Sequence, residues 1–137
     1  MDHLVAYAIA LPLMLAADAV WLGLAVPFLY RRRIGQLLRR PPRWGVAALF
    51  YLIYPAGLVF FAVSTGFDSG GPTIAALHGA LFGFFTYFTY NATNLAILDG
   101  YDGLIAAVDT VWGTAMGMAV SAATIEVLAR VSPLTVG

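Results

Sequence analysis

Residues 44–67 read WGVAALFYLIYPAGLVFFAVSTGF, a run without a single charged side chain. A helix needs about 20 mostly apolar residues to cross the hydrocarbon core of a bilayer. There it satisfies its own backbone N–H and C=O groups, which open structures cannot do in lipid. The run therefore reads as a transmembrane helix. Three neighbouring stretches fit the same description, so the candidate spans are roughly 3–30, 44–66, 72–98 and 103–129. They are joined by an arginine-rich segment, a TGFDSGG turn near 65–71 and LDGYDG at 98–103. Short links rich in glycine and aspartate make successive helices antiparallel neighbours. The expected fold is all-α, with four transmembrane helices in an antiparallel bundle and one domain over 1–137.

Composition points the same way. The chain has 137 residues, 61% hydrophobic and 10% charged, with a mean hydropathy of +0.86. A soluble domain carries about 25% charged residues, so the polar surface here is too small to cover a water-soluble globule. The absence of cysteine excludes disulfides and thiolate metal sites. Six of the seven basic residues, Arg31, Arg32, Arg33, Arg39, Arg40 and Arg43, lie between the first two spans. In that position they indicate topology and lipid-headgroup contact rather than nucleic acid. Arginines stay on the cytoplasmic side, which puts the 31–43 loop and the DGYDG turn inside and both termini outside. The expected location is a membrane, crossed several times. The first span is not expected to be a cleaved signal, since it opens Met-Asp-His without a basic residue and continues past Ala17-Asp18-Ala19 to Tyr30. Glu126 and Arg130, four residues apart, are expected to pair on the last helix.

Helix association in lipid depends on close packing and interhelical hydrogen bonds. Gly79 and Gly83 form one small-residue stripe, and Gly113, Gly117 and Ser121 form another. These stripes suit packing within the chain, a homo-oligomer or docking on a larger membrane complex. Pro12, Pro27 and Pro55 are positioned to kink helices or mark their ends.

The functional signal is a set of misplaced polar residues. An ionisable group at mid-span costs about 2.5–3.5 kcal/mol, so it tends to face the protein interior or a watery cavity. Asp18 and Asp109 are the two clear cases, and each is followed three residues later by tryptophan, in DAVW and DTVW. The third span carries FTYFTYNATNLA, in which Thr86, Tyr90 and Asn94 share one face, and Tyr87 and Asn91 share another. At 1.5 Å per residue, Asn94, Asn91 and Asp109 lie roughly 6–10 Å from the inner ends of their helices, and Asp18 about 14–18 Å. All therefore occupy the inner half of the bilayer. We expect a buried polar site built from Asp18, Asn91, Asn94, Asp109, Tyr87, Tyr90 and Thr86, shared by the first, third and fourth spans. Carboxylates that meet there would not both be ionised, which suits proton coupling, acid–base chemistry or structural pairing alike. The same residues also serve as plain interhelical glue, worth about 0.6 kcal/mol per hydrogen bond. His3 and His78 lack any haem-attachment pattern, and DGYDG lacks the spacing of a calcium loop. No cofactor or metal is expected, and no phosphate loop, nucleophile elbow or HExxH occurs.

DAVWLG, LFYLIYPAGLVFFAV at 49–63, ALFGFFTYFTYNATNLA at 80–96 and DTVWGT together resemble a bacterial membrane-protein family, domain of unknown function 2177. The resemblance covers nearly the whole chain and implies a small four-span inner-membrane protein. It also implies an acid in the slot that Asn91 fills here, leaving this chain one carboxylate fewer. Three functions fit the residues. The first is binding or transport of a small solute or proton, with Asp18 exchanging its occupant and a second copy helping to enclose a cavity. The second is a noncatalytic accessory subunit. The third is a lipid-modifying enzyme using Asp18 and Asp109 as acid–base groups.

Overall fold

The computed structural model describes residues 1–136, and every regular element among them is helical. Helix α1 spans His3–Leu37, α2 Trp44–Asp68, α3 Gly71–Ile97 and α4 Gly103–Val136. Three of them, α1, α2 and α4, are both long and apolar enough to cross a membrane. Helix α3 has the length, but His78 and its threonines, tyrosines and asparagines lower its hydropathy below the same standard.

Local chemistry sets the ends. Asp2 caps α1 by accepting from the N–H groups of Leu4 and Val5. Asp102 caps α4 through Ile105 N–H and also pairs with Arg33 at 3.1 Å. Between α2 and α3 the chain reverses at Gly70 and Gly71, whose φ values of 95° and 68° suit glycine and no bulky residue. Glu126 and Arg130 are both exposed, and among the described residues Arg33–Asp102 is the one ion pair. The expected pair on α4 does not form.

Helix α1 does not stop near Tyr30. It passes through a π-helical turn at Val26–Tyr30 and runs on to Leu37, so Arg31, Arg32 and Arg33 are helical rather than part of a loop. A second π turn, Val59–Val63, follows Pro55 in α2. Proline lacks the N–H that would bond the carbonyl one turn earlier. Next to that freed carbonyl, the Tyr7 hydroxyl of α1 donates to Leu52 O at 2.7 Å. Such outside donors are how kinked helices tolerate proline in lipid.

The bundle is packed at one end and open at the other. Ala6, Ala10 and Met14 of α1, Leu58 and Val63 of α2, Ala75 of α3, and Met116, Val120 and Leu128 of α4 form the core at the end holding the N-terminus. There α3 and α4 touch backbone to backbone. A Cβ on Gly79 would overlap the Gly117 carbonyl, and one on Gly83 would overlap that of Gly113. At the other end, the Trp44–Ile53 half of α2 stands away from its neighbours, with Trp44 70% and Ile53 60% exposed. In α1, α2 and α4, between 22% and 33% of the most apolar stretch is buried within the chain. The rest is apolar surface that the chain itself does not cover.

Candidate functional site

Asp18 lies on the buried stripe of α1, one step of four beyond Ala6, Ala10 and Met14. Helical periodicity therefore turns it inward, and it is only 6% exposed. Asp109 faces it from α4. Both line one cavity of about 510 Å³ at the open end of the bundle. The walls are Trp21, Leu22 and Tyr30 from α1, Val46, Ala47, Phe50, Tyr51 and Tyr54 from α2, Thr86, Tyr87 and Tyr90 from α3, and Trp112 from α4. The cavity is partly open to the surroundings on the side of the splayed half of α2.

The two carboxylates belong to separate hydrogen-bond systems and do not bond each other. Trp112 Nε1 donates to Asp18 Oδ1 at 3.0 Å, and the Tyr51 hydroxyl approaches the same carboxylate. Asp109 accepts on both oxygens, from the Tyr30 hydroxyl at 2.6 Å and from Asn91 Nδ2 at 2.7 Å. Behind Asn91, the Tyr101 hydroxyl donates to its Oδ1 at 2.7 Å. An amide is suited to this place, since it gives a donor to Asp109 and an acceptor to Tyr101 at once. A second ionised carboxylate in the slot would have no proton to give. Tyr101 lies in the connection between α3 and α4, and burial pushes its phenol up from the ordinary range.

The two Asp-x-x-Trp sequences interlock. Trp21 and Trp112 stack with centroids 4.7 Å apart and planes within 4°. The tryptophan of the α4 sequence bonds the aspartate of the α1 sequence. In the other direction, Trp21 sits edge-on to Tyr30, which bonds the aspartate of α4. On the far wall, Thr86 Oγ1 donates to Phe82 O, which leaves it as the acceptor for the Tyr54 hydroxyl at 2.9 Å.

Of the residues expected in the site, Asp18, Asp109, Thr86, Tyr87 and Tyr90 line the cavity, although Tyr90 is 59% exposed at its edge. Asn91 lies behind Asp109 and supports it. Asn94 is outside the lining and stands near Tyr101. Gly79, Gly83, Gly113 and Gly117 lie on the α3–α4 seam, where Gly113 also makes room for the Tyr87 ring. Arg31, Arg39, Arg40 and Arg43 line a second cleft that shares Val46 and Ala47 with the cavity, while Arg32 and Arg33 lie near Asp102. Tyr30, Phe50, Tyr51 and Tyr54 also line the cavity, and the sequence did not single them out. The spacing of Tyr51 and Tyr54 beside Pro55 was the available signal. No group of three or more metal-ligating side chains occurs among the described residues.

An all-helical chain whose outer surface is mostly apolar and whose polar side chains converge on a cavity between the helices is a helical membrane protein. Residues 3–126 match the family model described as predicted membrane protein (DUF2177), and the chain belongs to that family. No curated protein and no solved structure matches it.

Proposed function

We propose that this protein binds a small solute or proton at the Asp18–Asp109 cavity as a step in its movement across a bacterial inner membrane. The observation that carries the reading is that two carboxylates from different helices line one cavity that receives no arginine or lysine. Carboxylates that served only as glue would be expected to bring a counter-charge or to close on each other. In this reading α3 is the fourth span, since its 27 residues extend about 40 Å as a helix. The arginine-rich end faces the cytoplasm and both termini face outward. The Arg33–Asp102 contact supports one part of that arrangement by bringing the first and third connections to the same end.

The test is proton release from the purified protein between pH 5 and 9, comparing wild type with Asp18→Asn. The titratable groups facing Asp18 across the cavity are Asp109 and the phenols of Tyr30, Tyr51, Tyr54, Tyr87 and Tyr90. A titration in this window that disappears in Asp18→Asn is expected. Identical curves would overturn the reading and leave Asp18 as structural pairing for Trp112.

A further inference from the structure

We propose that the cavity takes a monovalent organic cation with an apolar body, of the quaternary ammonium or phosphonium kind. This rests on the solute-binding reading and names its substrate class.

The argument begins with what the cavity offers. Its only formal charges are the two carboxylates, and its walls are largely aromatic, with rings contributed by all four helices. Aromatic faces attract cations through the ring quadrupole, most strongly where water is excluded. Tryptophan provides the best face, and two tryptophans are stacked here. The volume, about 510 Å³, falls within the range of small-molecule sites.

The alternatives fit less well. A small hard metal ion needs about six oxygen ligands, but both Asp109 oxygens already accept strong hydrogen bonds, and beyond Asp18 the wall offers only the Thr86 hydroxyl and tyrosine phenols on a mostly carbon surface. An anion would face two carboxylates with no basic residue to hold it. The arginines lie in the neighbouring cleft, beyond Val46 and Ala47. A neutral apolar molecule would fill the space but leave buried Asp18 with two neutral donors, Trp112 Nε1–H and the Tyr51 hydroxyl, and no positive partner. A diffuse cation meets both requirements, since its charge answers the carboxylate and its hydrocarbon body matches the rings. Asp18 is the contact we assign to the charge, and Asp109, each of whose oxygens already accepts a hydrogen bond within the protein, shapes the field.

The stacked tryptophans report on occupancy. Trp44 is 70% exposed and outside the lining, so a Trp44→Phe protein in lipid nanodiscs leaves Trp21 and Trp112 as the emitters. Tetraphenylphosphonium and tetraphenylborate have nearly the same shape and opposite charge, and empty nanodiscs correct for partition into lipid. The expected result is a saturable emission change with the phosphonium and none with the borate. Asp18→Asn should weaken phosphonium binding roughly 30-fold or more, the loss associated with removing one partner of a desolvated charge pair. Retention of the Trp21–Trp112 near-ultraviolet circular dichroism signal shows that this variant is folded.

Equal binding of the two ions, preference for the borate, or phosphonium binding unchanged in folded Asp18→Asn would each overturn the proposal. The comparison of the two ions needs only the Trp44→Phe background, a change at an exposed position outside the lining, so it decides the matter even if Asp18→Asn does not fold. Absence of phosphonium binding together with an Asp18-dependent proton titration would remove the cation class and leave the solute or proton site standing. Absence of both would remove the site itself.

Discussion

Replacing Gly83 with alanine puts the α3–α4 contact to a quantitative test. A Cβ at this position would overlap the Gly113 carbonyl oxygen, and would lie 2.8 Å from the carbonyl carbon and 3.2 Å from Thr114 Cα. Carbon atoms prefer separations of about 3.5–4.0 Å. The two backbones must therefore part by about 0.7 Å or more, and no flexible side chain is available to give way. Overpacking of this kind costs about 1–3 kcal/mol. Gly23→Ala in α1 is the matched control, because nothing lies within 4 Å of its added methyl. Both substitutions gain the same preference of alanine over glycine in a helix, roughly 0.5–1 kcal/mol. That common contribution cancels in the comparison, so Gly83→Ala should be less stable than Gly23→Ala by about 1–3 kcal/mol. Equilibrium unfolding in mixed micelles, followed by circular dichroism against the fraction of denaturing detergent, measures the difference. If Gly83→Ala proves as stable as Gly23→Ala, the helices are not in backbone contact at this seam, and the packing argument fails.

Two further outcomes follow from the hydrogen bonds. Trp112→Phe keeps an aromatic ring against Trp21 but removes the N–H that Asp18 accepts. A loss of about 1.5–3 kcal/mol, the usual range for a bond to a charged group, is expected in the same unfolding assay, and a change under about 0.5 kcal/mol would show the bond to be unimportant. At Tyr101, burial raises the phenol above its ordinary value of about 10. Its stabilising contribution is therefore constant below pH 10 and lost as pH rises through the raised folded value. The stability difference between wild type and Tyr101→Phe should be flat from pH 7 to 10 and shrink above it, whereas shrinkage beginning below pH 10 would contradict the burial.

Much of this architecture was legible in the residues, for identifiable reasons. A run such as 44–67 has few physical alternatives to a membrane helix, and Gly79 and Gly83 at helical spacing mark a line of close approach. Asp18 was legible as an inward residue because exposure of its charge to lipid is costly. Its partner was not, since pairing across α1 and α4 depends on how the helices rotate against each other. Tyr30 was hidden more completely. Proline at position 27 reads as a helix end, whereas the structure inserts a π turn at Val26–Tyr30, and Tyr30 reaches Asp109 from within it. The extra residue in a π turn shifts the facing of everything after it, which no 3.6-residue pattern anticipates. Tyr51 and Tyr54 have the amphipathic character of belt residues, and only the splayed half of α2 turns them into a cavity wall.

The glycine seam also sets a mechanical division of labour. Two helices in backbone contact move as a single strut, so Asp109, Trp112, Thr86 and Tyr87 hold fixed positions relative to one another. The half of α2 from Trp44 to Ile53 has little buried surface to hold it and ends at the proline and π turn. Segments with few buried contacts open at the lowest free energy. A swing of that half about Pro55 would carry Phe50 and Tyr51 with it, while Tyr54, buried and bonded to Thr86, stays behind with both aspartates.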